Sequence, residues 1–197
     1  MRHGAVWHDP CTETRMSQSE RRFVLLIGAA GRIGSAFRGA HGERYRFRLA
    51  DLHTDALAGT PGAEHEIIRL DIADADACRG ACAGIDTVIH LAADPSPEAD
   101  WESSLLPNNI QGVVNVFRAA SEAGCRRVVF ASSVHAIGGL EGDEAIADDA
   151  PPRPVNLYGA TKLASDKTFV AANNLAGGNR ASGTNERADA VQSNLPT

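Results

Sequence analysis

The chain has 197 residues, of which 43% are hydrophobic and 22% charged, as in ordinary soluble globular domains. A formal net charge of −6 argues against a nucleic-acid surface, and no apolar run approaches the roughly 20 residues that a membrane helix needs. We therefore expect no nucleic-acid or membrane partner, and a cytoplasmic location is the default.

The chain begins with a polar, aperiodic stretch over residues 1–21, which predicts a disordered extension. At Phe23 the pattern changes to FVLLI (23–27), a continuous apolar run of strand length that ends in glycines. Such a run is typical of a strand buried on both faces.

Strands and helices then alternate with short links. Strands are predicted over 23–27, 45–50, 66–70, 86–93 and 127–133, and helices over 32–39, 74–84, 108–122 and 157–173. Loops are predicted over 94–100 and, rich in proline and acidic residues, over 143–156. This alternation predicts an α/β fold, a Rossmann-type doubly wound parallel sheet of order 3-2-1-4-5, with a ligand crevice where strands 1 and 4 end.

The glycine-rich turn GAAGRIG (28–34) lies between the first strand and the first helix. In such a turn Gly28 permits the sharp bend, Gly31 lets the backbone approach a pyrophosphate, and Gly34 allows helix and sheet to pack closely. The helix N-terminus offers free N–H groups and a positive dipole end to the phosphates. The placement predicts a dinucleotide site.

Two aspartates follow later strands of this half. Asp51 ends the second strand, where a carboxylate accepts hydrogen bonds from ribose hydroxyls and repels a 2′-phosphate, which favours NAD over NADP. The alternative for Asp51 is a helix cap or turn residue. Asp71 ends the third strand and either reaches the adenine edge or caps the next turn.

Tyr158 and Lys162 lie four residues apart on one predicted helix, so that their side chains share a face. A lysine ammonium close to a phenol favours the phenolate, which can take the proton of a substrate alcohol while hydride leaves for a cofactor. Ser132 and Ser133 end the fifth strand, where a hydroxyl can hold the substrate oxygen.

An ordered set of motifs resembles the extended short-chain dehydrogenase/reductase superfamily, in its NAD-dependent epimerase/dehydratase group. The set runs through GAAGRIG (28–34), ADL (50–52), LDI (70–72), HLAA (90–93), NNIQG (108–112), FASS (130–133) and YGATK (158–162). The resemblance implies that Tyr158 is the general base, that Lys162 anchors the nicotinamide ribose, and that Ser133 is the hydroxyl partner. It also implies that Asn109 supports the helix behind the site.

By the same resemblance the cofactor is NAD and the substrate is a sugar or sugar derivative. The residues implied to contact the cofactor are Gly28, Gly31, Arg32, Ile33, Gly34, Asp51, Asp71, Ile72, Leu91, Ala92, Ala93, Tyr158 and Lys162. No metal is expected, because Cys78 and Cys82 lack a second ligand pair; they are interpreted as helix-packing thiols.

Two subgroups compete within the resemblance. The segments 90–112 and 130–139 are similar to uronate dehydrogenases and related hexose-oxidising enzymes, in which residues after the second serine bind sugar. That points to Val134 and His135, although an asparagine is expected at position 134, and His135 is equally well interpreted as a packed or capping residue. The helix over 156–174 resembles nucleotide-sugar 4,6-dehydratases, and an epimerase remains an alternative.

The expected organisation is a disordered extension over 1–21, an NAD-binding Rossmann domain over 22–174, and a disordered tail over 175–197 that does not resemble the family. The last strands and the substrate domain are expected to be missing, as in a truncated chain with impaired turnover. A non-catalytic dinucleotide-binding module is the alternative from another functional class. The family's usual homodimer would use the helices over 108–122 and 157–173.

Overall fold

A computed structural model of the protein describes residues 21–60, 65–138 and 150–175, with side chains described as far as Val170. The five strands are β1 (Phe23–Ile27), β2 (Arg46–Asp51), β3 (Glu66–Arg69), β4 (Thr87–His90) and β5 (Arg127–Phe130). The four α-helices are α1 (Arg32–His41), α2 (Ala75–Cys82), α3 (Gly112–Glu122) and α4 (Leu157–Leu175). All strand pairs are parallel and the sheet order is β3-β2-β1-β4-β5, which confirms the predicted fold.

The central strand β1 separates two apolar layers. Its residues alternate between the faces of the sheet, so Leu25 and Ile27 pack in the layer that contains α2 and α3. Val24 and Leu26 pack on the other face, in the layer under α1. All four side chains are at most 3% exposed, as expected for a strand between two paired neighbours and two helical layers.

The strands β4 and β5 are shorter than predicted, since both were expected to continue for three more residues. β4 ends at His90 because its neighbour β1 ends at Ile27, where Gly28 turns the chain with φ +82°. β5 pairs with β4 and ends level with it, at Phe130. Only one further bond continues each ladder, from Leu91 N–H to the Ile27 carbonyl and from Ala131 N–H to the His90 carbonyl. The residues that follow are therefore loops at the crevice.

The start of the helix that contains α3 was predicted wrongly. A helix over 108–122 was expected, but a π-helical segment, Trp101–Gln111, precedes α3 and runs directly into it. Asp100 begins it by accepting a hydrogen bond from Ser103 N–H at 2.8 Å. Pro107 lies inside this segment and has no backbone N–H to donate. Burial of Leu105 and Asn109 holds the segment helical despite that loss.

The predicted extension over 1–21, apart from Arg21, and the predicted tail after Leu175 lie outside the described residues. The part of the predicted 143–156 loop before residue 150 also lies outside them. In the described part of the chain no helix is long and apolar enough to cross a membrane. Cys78, Cys82 and Cys125 are buried free thiols.

Candidate functional site

The glycine turn after β1 has no room for side chains at two of its positions. A Cβ at Gly28 would lie 2.7 Å from the backbone nitrogen of Ala92, and one at Gly34 would lie 2.2 Å from the Gly28 carbonyl oxygen. At Gly31 the same test meets only the Gly28 oxygen, at 3.3 Å. Gly28 and Gly34 are thus required by the fold, whereas a side chain at Gly31 would make a single tight contact with the Gly28 carbonyl oxygen.

The N-terminus of α1 fits an anionic group. Its N-cap is Gly31, so no side chain caps the helix, and there is no acidic residue in the first turn. Arg32 and Ile33 are exposed beside it. Uncapped N–H groups at a positive dipole end, together with an exposed arginine, are chemically able to hold an anionic group such as a pyrophosphate.

Asp51 lies against the glycine turn. One carboxylate oxygen accepts the Ala30 N–H at 2.9 Å and the other accepts the His53 N–H at 3.1 Å. The carboxylate is thereby fixed next to the turn while the side chain stays partly exposed. This position at the end of β2 suits a ribose acceptor.

Five other residues predicted to contact a cofactor follow either β4 or β3. Leu91, Ala92 and Ala93 follow β4 and are half-buried at the crevice, with Ala92 against Gly28. Asp71 is exposed and accepts the Ala73 N–H at 2.9 Å, as the turn-capping alternative predicted. The side chain of Ile72 is only 5% exposed and packs in the core layer that contains α2 and α3.

The helix α4 brings Tyr158 and Lys162 to the carboxyl end of β5. The Lys162 ammonium donates to the Ala131 carbonyl at 2.9 Å and lies 4.6 Å from the ring centroid of Phe130. It lies 5.8 Å from the ring centroid of Tyr158, so the two predicted residues do share one face of the helix.

The surroundings of Lys162 tune its charge. The residue is only 3% exposed, and burial lowers the pKa of its ammonium to about 8, although the nearby Asp166 carboxylate opposes that shift. Burial also raises the pKa of Asp166, which accepts a hydrogen bond from Ser132 Oγ at 2.7 Å. Lys162 therefore remains a cation at neutral pH, at a cost in solvation.

The two serines after β5 have different partners. Ser132 is bound to Asp166 on α4, whereas the Ser133 Oγ accepts the His135 N–H at 3.2 Å and caps the 3₁₀ turn Val134–Ala136. The Ser133 hydroxyl keeps its own hydrogen for donation.

Asn109 ties the π-helical segment to α4 behind this site. Asn109 is 1% exposed, and its Oδ1 accepts the Asp94 N–H at 2.9 Å. Its Nδ2 donates to the Asp94 carbonyl at 3.0 Å and to Thr161 Oγ1 at 3.2 Å. Thr161 Oγ1 in turn donates to the Tyr158 carbonyl at 2.7 Å. This network fixes α4 from below, as expected for Asn109.

Sequence reasoning gave no role to His90, which lies under the site. Its ring is fully buried between Phe117 and Phe130, and neither ring nitrogen has a hydrogen-bond partner among the described residues. Burial, with a smaller effect of Lys162, lowers the pKa of His90 to about 3. In the sequence, the apolar residues beside His90 gave no indication that its ring would be buried without a hydrogen-bond partner.

His135 and Asn156 form a contact that sequence reasoning also missed. The His135 ring lies 5.7 Å from the Tyr158 ring centroid at 78°, and its Nδ1 lies 3.3 Å from Asn156 Nδ2. His135 is thus a packed residue beside Tyr158. The adjacent Val134 is 63% exposed.

Comparison with known proteins places this geometry in context. A family model described as the NAD dependent epimerase/dehydratase family matches residues 24–184. An NAD-dependent glucose-6-phosphate dehydrogenase from Haloferax volcanii is 40% identical over 157 residues, which cover 73% of this chain and 60% of that protein. A uronate dehydrogenase from Pseudomonas putida is 39% identical over 144 residues, covering 71% of this chain and 51% of that protein.

Among solved structures, a mutant of uronate dehydrogenase from Agrobacterium tumefaciens complexed with NAD matches with a TM-score of 0.70 at 33% identity. The match covers 78% of this chain and 57% of that one. The chain thus spans about 51–60% of the length of these relatives.

Proposed function

The chain belongs to the NAD-dependent epimerase/dehydratase family, and on that premise we propose that it binds NAD and takes part in oxidising a sugar hydroxyl. Hydride leaves the carbon that bears the hydroxyl for NAD, and the proton leaves its oxygen. The observation that carries the proposal is the convergence of two features at one edge of the sheet. One is the uncapped N-terminus of α1, and the other is the buried cation Lys162 beside Tyr158.

The dinucleotide is proposed to lie across the ends of β1 and β4. The glycine turn and the first N–H groups of α1 would hold its pyrophosphate, and Asp51 would accept hydrogen bonds from the adenosine ribose. A fixed carboxylate there disfavours a 2′-phosphate, which supports NAD over NADP. When bound, the nicotinamide supplies the hydride acceptor.

Tyr158 is proposed to take the proton from the substrate hydroxyl. Lys162 supports this role because a positive charge close to the phenol favours its deprotonated form. Lys162 Nζ uses only one hydrogen for Ala131 in the described structure, so further hydrogens are available for a ribose hydroxyl.

Ser133 is proposed to hold the substrate oxygen. Its Oγ is oriented by the His135 N–H, which leaves the hydroxyl hydrogen free to donate toward the reacting oxygen. A second hydroxyl that donates to the reacting oxygen would position the alcohol for loss of its proton.

Binding and turnover can be tested separately on the 197-residue chain. Calorimetry with NAD and with NADP should give binding of NAD that is the tighter of the two. NAD reduction is then measured with glucuronate, galacturonate and glucose 6-phosphate. Absence of NAD binding would contradict the proposal, and binding without reduction of any sugar would favour the non-catalytic module.

Tyr158→Phe should lower NAD-linked turnover by about 10²–10⁴-fold, because the general base is lost, while NAD affinity stays unchanged. The chain offers a matched control, since its second tyrosine, Tyr45, packs on Phe47 in the opposite apolar layer. Tyr45→Phe should keep turnover. Equal turnover in the Tyr158→Phe variant and the unsubstituted chain would exclude Tyr158 as the base.

A further inference from the structure

His135 joins the loop after β5 to the first turn of α4. Its carbonyl accepts the Val155 N–H at 3.1 Å, and a Cβ at Gly159 would lie only 2.1 Å from the same oxygen. Its ring packs nearly perpendicular to Tyr158. The orientation of this one residue therefore affects the surroundings of Tyr158.

The hydrogen bond from the Gly159 N–H determines the orientation of the Asn156 amide. Its Oδ1 accepts the Gly159 N–H at 2.8 Å, and a backbone N–H can only donate, so the oxygen must face Gly159. The amide NH₂ then faces His135 Nδ1 at 3.3 Å. Nδ1 must accept, which places the proton of a neutral His135 on Nε2.

We propose that Asn156 is a positioning residue for Tyr158. The same amide caps the helix that carries Tyr158 and holds His135 as the Nε2–H tautomer, with its ring packed against the tyrosine. In the other tautomer an Nδ1–H would face the amide NH₂, and the contact that orients the ring would be lost. The proposal rests on the proposed function only in that Tyr158 is the reacting base.

Three substitutions separate capping from the contact with His135. Asn156→Ser keeps an oxygen that can cap the helix but removes the donor to His135. Asn156→Asp also keeps the cap and turns an acceptor toward Nδ1, which favours an Nδ1–H imidazole. Asn156→Ala removes both contacts and reports the cost of losing the cap.

The tautomer is measured by heteronuclear NMR of the histidine side chains in the nitrogen-labelled full chain. At about pH 8, where an ordinary imidazole is neutral, the His135 signal should show Nε2–H. It should change to Nδ1–H or a charged ring in Asn156→Asp and to mixed tautomers in Asn156→Ser. His135→Gln assigns the signal, and the exposed His53 is the control that should not change.

Positioning of Tyr158 is read out in two ways. Nuclear Overhauser contacts between the His135 and Tyr158 rings should be present in the unsubstituted chain and weakened in Asn156→Ser. Turnover by Asn156→Ser should fall about tenfold in kcat with unchanged NAD affinity, because a displaced base reacts less often.

An unchanged His135 tautomer in both capped variants would overturn the proposal, as would Asn156→Ser with undiminished ring contacts. Wild-type turnover in Asn156→Ser would reduce Asn156 to a helix cap. If the unsubstituted chain oxidises no sugar, the proposed function fails, while the tautomer and the ring contacts still decide whether Asn156 orients His135 against Tyr158.

Discussion

The two halves of the crevice are built on different physical principles. On the β1–α1 side the site consists of backbone, with glycines at positions where a methyl group would overlap main-chain atoms. On the β5–α4 side it consists of ionisable side chains removed from water, namely Lys162 at 3% exposure with His90 fully buried beneath it. The first half depends on steric fit and the second on electrostatics.

This difference implies different responses to change. A steric site fails when volume is added, and its stability should depend little on pH. An electrostatic site keeps its fold when a buried ionisable group is replaced by an apolar one, but it loses the chemistry and changes the pH dependence of stability. Three substitutions can test this contrast.

The largest effect is expected at Gly34. In Gly34→Ala the new methyl group would overlap the Gly28 carbonyl and two atoms of Ala29, so the free energy of unfolding should fall by about 4 kcal/mol or more. Urea denaturation measures this loss. Gly39 lies on the same helix with nothing within 4 Å of an added Cβ, so Gly39→Ala should raise the free energy of unfolding by about 0.5–1 kcal/mol. A stable Gly34→Ala protein would show that the turn is not sterically closed.

The next effect concerns Lys162, whose pKa of about 8 is below its ordinary value of 10.5 because of burial. Below pH 8 the group is charged in both states, and its burial opposes folding. Between pH 8 and 10.5 the unfolded chain keeps a proton that the folded chain releases, so the free energy of unfolding gains up to about 3 kcal/mol as pH rises.

Lys162→Met should remove that gain while the protein stays folded. The measurement is a series of urea denaturations between pH 7 and 10.5. Lys167 on the same helix is exposed, so Lys167→Met is the matched control and should keep the rise with pH. The same rise in Lys162→Met would mean that another group causes it.

A smaller effect is expected at His90, whose pKa is lowered to about 3 by burial. As pH falls below about 6.5, the unfolded chain takes up a proton that the folded chain cannot, so stability falls. At pH 5 this loss amounts to about 2 kcal/mol relative to neutral pH. His90→Leu should remove this component of acid sensitivity, measured by denaturation at pH 5 and 7.

The exposed His53 provides the comparison for that experiment, because His53→Leu should leave the acid dependence as it is. If His90→Leu were as acid-sensitive as the unsubstituted chain, the buried ring would not be the source. Loss of the fold in His90→Leu at neutral pH would contradict the expectation that an apolar side chain can replace this buried ring.

The sequence by itself determined the fold and the steric half of the crevice. The apolar run at β1, the alternation of strands and helices and the spacing of Gly28, Gly31 and Gly34 depend on local periodicity and backbone sterics, which the sequence displays directly. The position of Asp51 at the end of β2 follows from the same register. The four-residue spacing of Tyr158 and Lys162 likewise fixes a common helix face.

Only the tertiary structure decided the electrostatic half. Burial of Lys162 and His90 depends on rings contributed by β5 and α3, and the pairing of His135 with Asn156 joins segments 21 residues apart. The π-helical segment through Pro107 is likewise stabilised by burial of Leu105 and Asn109 rather than by local preference. Local patterns report backbone geometry, but desolvation and hydrogen-bond partners are properties of the packed chain.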